Sequence, residues 1–158
     1  MIRELADGGT TTWPTVGLWD DFGISFHADS SEVLFDDANN QVWAINIKSG
    51  STRLFLVGLD ASVSPDGQWL VFLKNVDDRD ILVRPIGGGP SANIGNGSFP
   101  LLTLDSGHII YTDDFGDLII STRDGLSTTP LTTIDSYTPR PYDRWHALAF
   151  VAGSRGVA

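Results

Sequence analysis

The sequence predicts an all-β fold built from four-stranded antiparallel units, and three observations predict it. First, 17 glycines and 8 prolines in 158 residues, together with Asp and Asn, separate short runs of β-branched and aromatic residues, and no 3.6-residue periodicity runs through them. Second, a pattern repeats: ISFHADSSEVLF ends at Phe35, ASVSPDGQWLVF at Phe72, PLLTLDSGHIIY at Tyr111 and TPRPYDRWHALAF at Phe150. The aspartates that begin the turns, Asp29, Asp66, Asp105 and Asp143, lie 37, 39 and 38 residues apart. Third, QWLVF and HIIY are apolar on successive residues, as expected where both faces of a sheet are covered. A period near 40 with four short strands per unit predicts a β-propeller of about four blade-equivalents, whole or partial.

Each unit is read as the same series of elements. Strand A runs into the Asp turn, which Asp fixes by bonding nearby backbone N–H groups and tolerating left-handed geometry. Strand B follows and ends on the aromatic. An acidic or Asn-rich turn (DDANNQ, NVDDRD, DDFGD) leads to strand C (VWAINI, ILVRPI, LIIST), and a Gly turn (KSGS, GGGP, RDGLS) leads to strand D. The expected domain is the whole chain, 1–158, with repeats at 24–60, 61–98 and 99–136 and half-blades at 137–158 and 1–23. Two readings follow for the halves. They form one composite blade that closes a ring of four, or they mark a piece of a larger propeller with open blade edges suited to self-association.

Composition removes several classes of function. The absence of cysteine excludes disulfides, thiolate nucleophiles and Cys-based zinc sites. Ten basic against twenty acidic residues give a net charge of −10, which disfavours nucleic acid and anionic membrane surfaces. No run approaches the ~18 apolar residues of a membrane span, so membrane insertion is not expected, and the start MIRELADGGTTTWP lacks the apolar core of a secretion signal. No G-x-S-x-G elbow is present. Of the three histidines, His108 and His146 open strand B at equivalent positions and His27 adjoins a turn, which points to packing. IGGGPSANIGNG lacks the spacing of a phosphate loop and reads as a hairpin turn.

The S-P-D-G-x-x-[LIV]-x-[FY] turn, followed about ten residues later by DILV and a Gly-Gly turn, resembles the TolB-type, WD-like β-propeller repeat family. The match is fullest in SPDGQWLVF with DILVRPIGGGP, and looser in ISFHADSSEVLF with QVWAINIKSGS and in LTLDSGHIIY with DLIISTRDG. The resemblance implies the blade type and a periplasmic or extracellular setting. It implies no activity, because such blades occur in periplasmic proteins, in gating caps of prolyl-oligopeptidase-like hydrolases and in sensory proteins.

Because strand direction alternates, the B-to-C turns and the D-to-A connections emerge at the same end of each unit. Sorting charges by this register puts Asp20, Asp21, Asp36, Asp37, Asp60, Asp77, Asp78, Asp80, Asp113, Asp114, Asp117 and Asp135 on one face, against Lys74, Arg79 and Arg155. The aromatics Trp19, Phe22 and Phe115 stand beside them. Converging carboxylates suit a basic protein or peptide, or Ca²⁺, although no loop carries a complete calcium pattern. The expected function is a non-enzymatic interaction scaffold acting through this acidic face, with no catalytic residue and no required cofactor. The alternative is the gating-cap propeller of a larger prolyl-oligopeptidase-like hydrolase.

Overall fold

The computed structural model describes residues 2–3, 10–11 and 24–131. All regular structure among them is strand. Strands β1 (Ile2–Arg3) and β2 (Thr10–Thr11) pair with each other. Sheet one comprises β3 (Ile24–Phe26), β4 (Glu32–Asp36), β5 (Gln41–Asn46) and β6 (Thr52–Val57). Sheet two comprises β7 (Leu59–Val63), β8 (Trp69–Leu73), β9 (Asp80–Pro85) and β10 (Ala92–Asn96). Sheet three comprises β11 (Ser98–Leu102), β12 (His108–Thr112), β13 (Leu118–Thr122) and β14 (Thr128–Pro130). Within each sheet the strands lie in chain order and pair antiparallel, so every link is a hairpin-type connection.

The A-to-B turns share one hydrogen-bonding device. Asp66 Oδ1 accepts the Ser64 hydroxyl and the Gln68 N–H at 3.0 Å, while Ser64 Oγ accepts the Trp69 N–H at 2.9 Å. Asp105 repeats this with Thr103 and Gly107. Asp29 does so with Ser31, where His27 Nδ1 replaces the hydroxyl at 3.0 Å. The residue after each Asp, Ser30, Gly67 or Ser106, adopts positive φ, so the side-chain bonds hold a reversal that the backbone alone disfavours. The same device recurs between strands C and D of sheet three, at Thr122 and Asp124, a use that the repeat alignment did not single out.

Packing explains the unbroken apolar runs. In β8, Leu70 and Phe72 join Leu34, Val42, Ala44 and Leu56 of sheet one, while the intervening Val71 and Leu73 join Ile109, Tyr111 and Ile119 of sheet three. Alternate side chains leave opposite faces of a strand, so a central sheet must be apolar at both parities. Burying each such side chain stabilises by roughly 1.5–3 kcal/mol. The first strands lie together, with β7 against β3 and β11 against β7, whereas the fourth strands β6, β10 and β14 are largely exposed.

Candidate functional site

The B-to-C turns and D-to-A connections do meet at one end of each sheet. Gly58 N–H donates to Asn40 C=O at 2.8 Å, Gly97 N–H to Arg79 C=O at 3.1 Å, and Leu131 N–H to Leu118 C=O at 2.7 Å. This end carries the described members of the acidic set; Asp20, Asp21 and Asp135, with Trp19, Phe22 and Arg155, lie outside the described residues.

Sheet one turns its acids inward, which corrects the expectation of a surface role for Asp36 and Asp37. Asp36 is 2% exposed, and its Oδ2 accepts the Asp60 N–H of sheet two at 2.7 Å. Asp60 has φ +48° and sits at a register shift between Leu59 and Ser62, so its N–H turns towards Asp36. Burial pushes the Asp36 carboxyl up to about 7; the Asp60 N–H opposes this, and the Asp60 and Asp37 charges add to it. Asp37 is also buried. Its Oδ1 accepts the Asn39 and Gln41 N–H groups at 2.8 and 3.1 Å, and its Oδ2 accepts Trp43 Nε1–H at 2.9 Å. Burial pushes this carboxyl up, but those donors outweigh it and hold it below the usual range.

Sheets two and three present the exposed acids. The turn after β8 closes from the Lys74 N–H to the Asp80 C=O, two residues more than the closures from Asp37 to Gln41 and from Asp113 to Asp117. In it Lys74 Nζ pairs with Asp78 at 2.9 Å and Asp80 at 3.6 Å, and Asn75 Oδ1 accepts the Asp78 N–H at 2.7 Å. Asp80 also accepts Asn96 Nδ2–H at 3.1 Å. In sheet three, Asp113 Oδ1 fixes its turn by accepting the Phe115 and Asp117 N–H groups, both at 2.9 Å. The two loops are tied by Arg79, whose Nη1 meets Asp114 Oδ1 at 2.9 Å and whose Nη2 donates to Ser98 Oγ. The same two loops carry exposed apolar side chains, Val76 at 53% and Phe115 at 75%, and Asp77, next to Val76 in the chain, is exposed too.

Among the described residues no group of three or more His, Asp or Glu side chains is placed to hold a metal ion. Ser, His and Asp meet at Ser31, His27 and Asp29, but Ser31 Oγ and His27 Nδ1 both address Asp29 Oδ1. The carboxylate therefore lies between hydroxyl and imidazole, which is the wrong order for a base to activate a nucleophile. The Ser31 hydroxyl, then the Ser31 N–H, then His27 bring the Asp29 carboxyl down to about 2. A cavity of about 460 Å³ lies at the opposite end of sheets two and three, walled by Trp69, Val83, Pro85 and Arg123. The Arg123 guanidinium lies 4.2 Å from the Trp69 ring centroid.

No protein-family model matches the chain, and no curated protein matches it. Solved structures do. TolB from Acinetobacter baumannii matches with a TM-score of 0.59 at 17% identity, over 70% of this chain and 32% of that one. The β-propeller domain of Myceliophteria thermophila Cps50 (Swd1) matches with a TM-score of 0.57 at 8% identity, over 77% and 40%. The three sheets are β-propeller blades. An oligogalacturonate lyase in complex with manganese also matches, with a TM-score of 0.53 at 12% identity, over 72% and 40%. The chain spans less than half the length of each of these proteins, and at such identities the likeness concerns the fold alone.

Proposed function

We propose that this chain is a non-enzymatic propeller module that binds a basic, partly apolar peptide or protein segment on the B-to-C loops of blades two and three. The observation that carries the reading is the Arg79 to Asp114 ion pair, which holds together two loops that carry the exposed Val76 and Phe115 along with Asp77, Asp78, Asp80 and Asp114. Exposed apolar side chains on loops rich in carboxylates match a partner that brings cationic groups beside an apolar anchor.

The test is titration of fluorescent Lys/Arg-rich peptides carrying Leu or Trp against the chain and against Phe115→Ala and Asp77→Lys, both at exposed positions. Each substitution weakens binding about tenfold or more, and affinity falls as salt rises. Absence of binding by every such peptide, or equal affinity in both variants, overturns the reading.

A further inference from the structure

The cavity between blades two and three has two unlike walls. Blade two supplies an apolar one, Trp69, Pro85, Pro90 and Ala92, and blade three a polar one, Thr122, Arg123 and Asp124. Its volume of about 460 Å³ lies in the range of small-ligand sites. The two blades are tied on both sides of it. Towards the first strands, the Asp66 N–H donates to Ser106 Oγ at 3.4 Å. Towards the fourth strands, the Gly125 turn comes so close to β10 that a Cβ on it would stand 3.2 Å from Ile94 Cα. The walls are therefore set relative to each other before a ligand arrives, and contacts at both flanks suit a compact ligand rather than a continuous chain.

The repeat does not demand the residues that meet here. Trp69 stands at the strand-B position that Glu32 and His108 hold in blades one and three. The polar groups of the cavity differ in what is left to bind a ligand. Thr122 Oγ1 donates to Asp124 Oδ1 at 2.6 Å and accepts the Ser127 N–H at 3.1 Å, so the hydroxyl is spent. Asp124 Oδ1 also accepts the Leu126 N–H at 3.1 Å. The Thr122 hydroxyl, then the Leu126 N–H, hold the Asp124 carboxyl below the usual carboxylate range, so it is ionised at neutral pH. Among the described residues no hydrogen bond or ion pair engages Asp124 Oδ2 or the Arg123 guanidinium, which lies over the Trp69 ring.

These groups select against ions and against purely apolar ligands. An anion on Arg123 would meet the Asp66 and Asp124 carboxylates, both close enough to feel the Arg123 charge. A cation would meet Arg123 itself. A purely apolar ligand would take the guanidinium out of water with no acceptor, which is costly. What fits is a neutral ligand with one apolar face and an edge of groups that both donate and accept, as hydroxyls do. We propose that this cavity binds a neutral sugar, with its C–H face against Trp69, Pro85 and Pro90 and its hydroxyls accepting from Arg123 and donating to Asp124.

The test is titration of the chain with cellobiose, maltose, lactose and N,N′-diacetylchitobiose, followed by the NMR signal of the Trp69 indole N–H, which is assigned by its loss in Trp69→Phe. At least one of these sugars shifts that signal saturably. Arg123→Met keeps an apolar cover on Trp69 but removes the donors, and it weakens that sugar about tenfold or more. Arg123 is half-buried at a turn, so its variant keeps the native melting temperature. Cyclohexanecarboxylate, cyclohexylammonium and a blocked dialanine probe the anionic, cationic and peptide alternatives. No shift by any of the sugars at millimolar concentration, equal affinity in Arg123→Met, or tighter binding of any alternative probe overturns the proposal.

Discussion

At the scale of residues, Asp36 is the group whose environment has the largest consequence. Its carboxyl lies between two blades, faces the Asp37 and Asp60 carboxylates and takes one backbone N–H from Asp60. With a folded value near 7 and an ordinary value of 3.8, the folded state holds this proton where the unfolded chain has released it. Its contribution is therefore fully present below pH ~4 and is lost as pH rises through about 7. The free-energy equivalent is on the order of 4 kcal/mol at most. Asp29, Asp37, Asp66, Asp78, Asp105 and Asp124 are shifted downwards, so they favour folding above the ordinary carboxylate value and lose that effect on acidification. Between pH 5 and 8 the Asp36 effect is left to act alone among these groups. Urea unfolding across this range should show stability falling with pH in the native chain, and Asp36→Asn, which keeps an acceptor for the Asp60 N–H, should flatten the slope. A slope unchanged by Asp36→Asn rules out Asp36 as its source.

At the scale of elements, the corner from strand D to the next strand A is the tightest in blades one and two. Gly58 has φ +151°, and a Cβ there would stand 2.7 Å from the Leu73 carbonyl oxygen and from Leu56 and Phe72 side-chain carbons. At the equivalent Gly97 a Cβ would approach the Thr112 carbonyl oxygen closer still, and backbone cannot yield as a flexible side chain can. Gly58→Ala should cost about 2–4 kcal/mol from overpacking and backbone strain together. Thermal melts would show it, and a melting temperature within a degree of the native chain would refute the corner argument. These corners also mark the limit of sequence reading. The Asp turns at 29, 66 and 105 were legible because donor, acceptor and positive-φ residue lie within about five positions of one another. The fates of Asp36 and Asp37 were not. Asp36 receives its donor from a corner 24 residues away, and Asp37 depends on the Trp43 indole that the β4–β5 register brings across. In the sequence DDANNQ and DDFGD look alike, but they are offset by one position: Asp113 takes the place of Asp37 and accepts the same pair of turn N–H groups, while Asp36 ends β4 where Thr112 ends β12.

At the scale of the whole molecule, the core is a series of interfaces rather than one centre. The cluster around Leu34, Val42, Leu70 and Phe72 joins blades one and two, and the cluster around Val71, Ile81, Ile109 and Tyr111 joins blades two and three. The successive apolar residues of WLVF are legible as this arrangement, since Leu70 and Val71 serve different interfaces one residue apart. An array coupled only through adjacent interfaces behaves approximately as a one-dimensional series, in which an end unit can open while the rest holds. Leu34→Ala and Ile109→Ala each remove a fully buried side chain, at a cost of about 2–5 kcal/mol. Their effects should separate in space. Hydrogen exchange in Leu34→Ala should accelerate through β4 to β6 while β12 and β13 keep their protection, and Ile109→Ala should do the reverse. If either variant instead lowers protection evenly across all three blades, the blades fold as one cooperative block and the interfaces do not act as separate units. Blade two, packed on both faces, should keep the slowest amides in both variants, because loss of either interface leaves it the other.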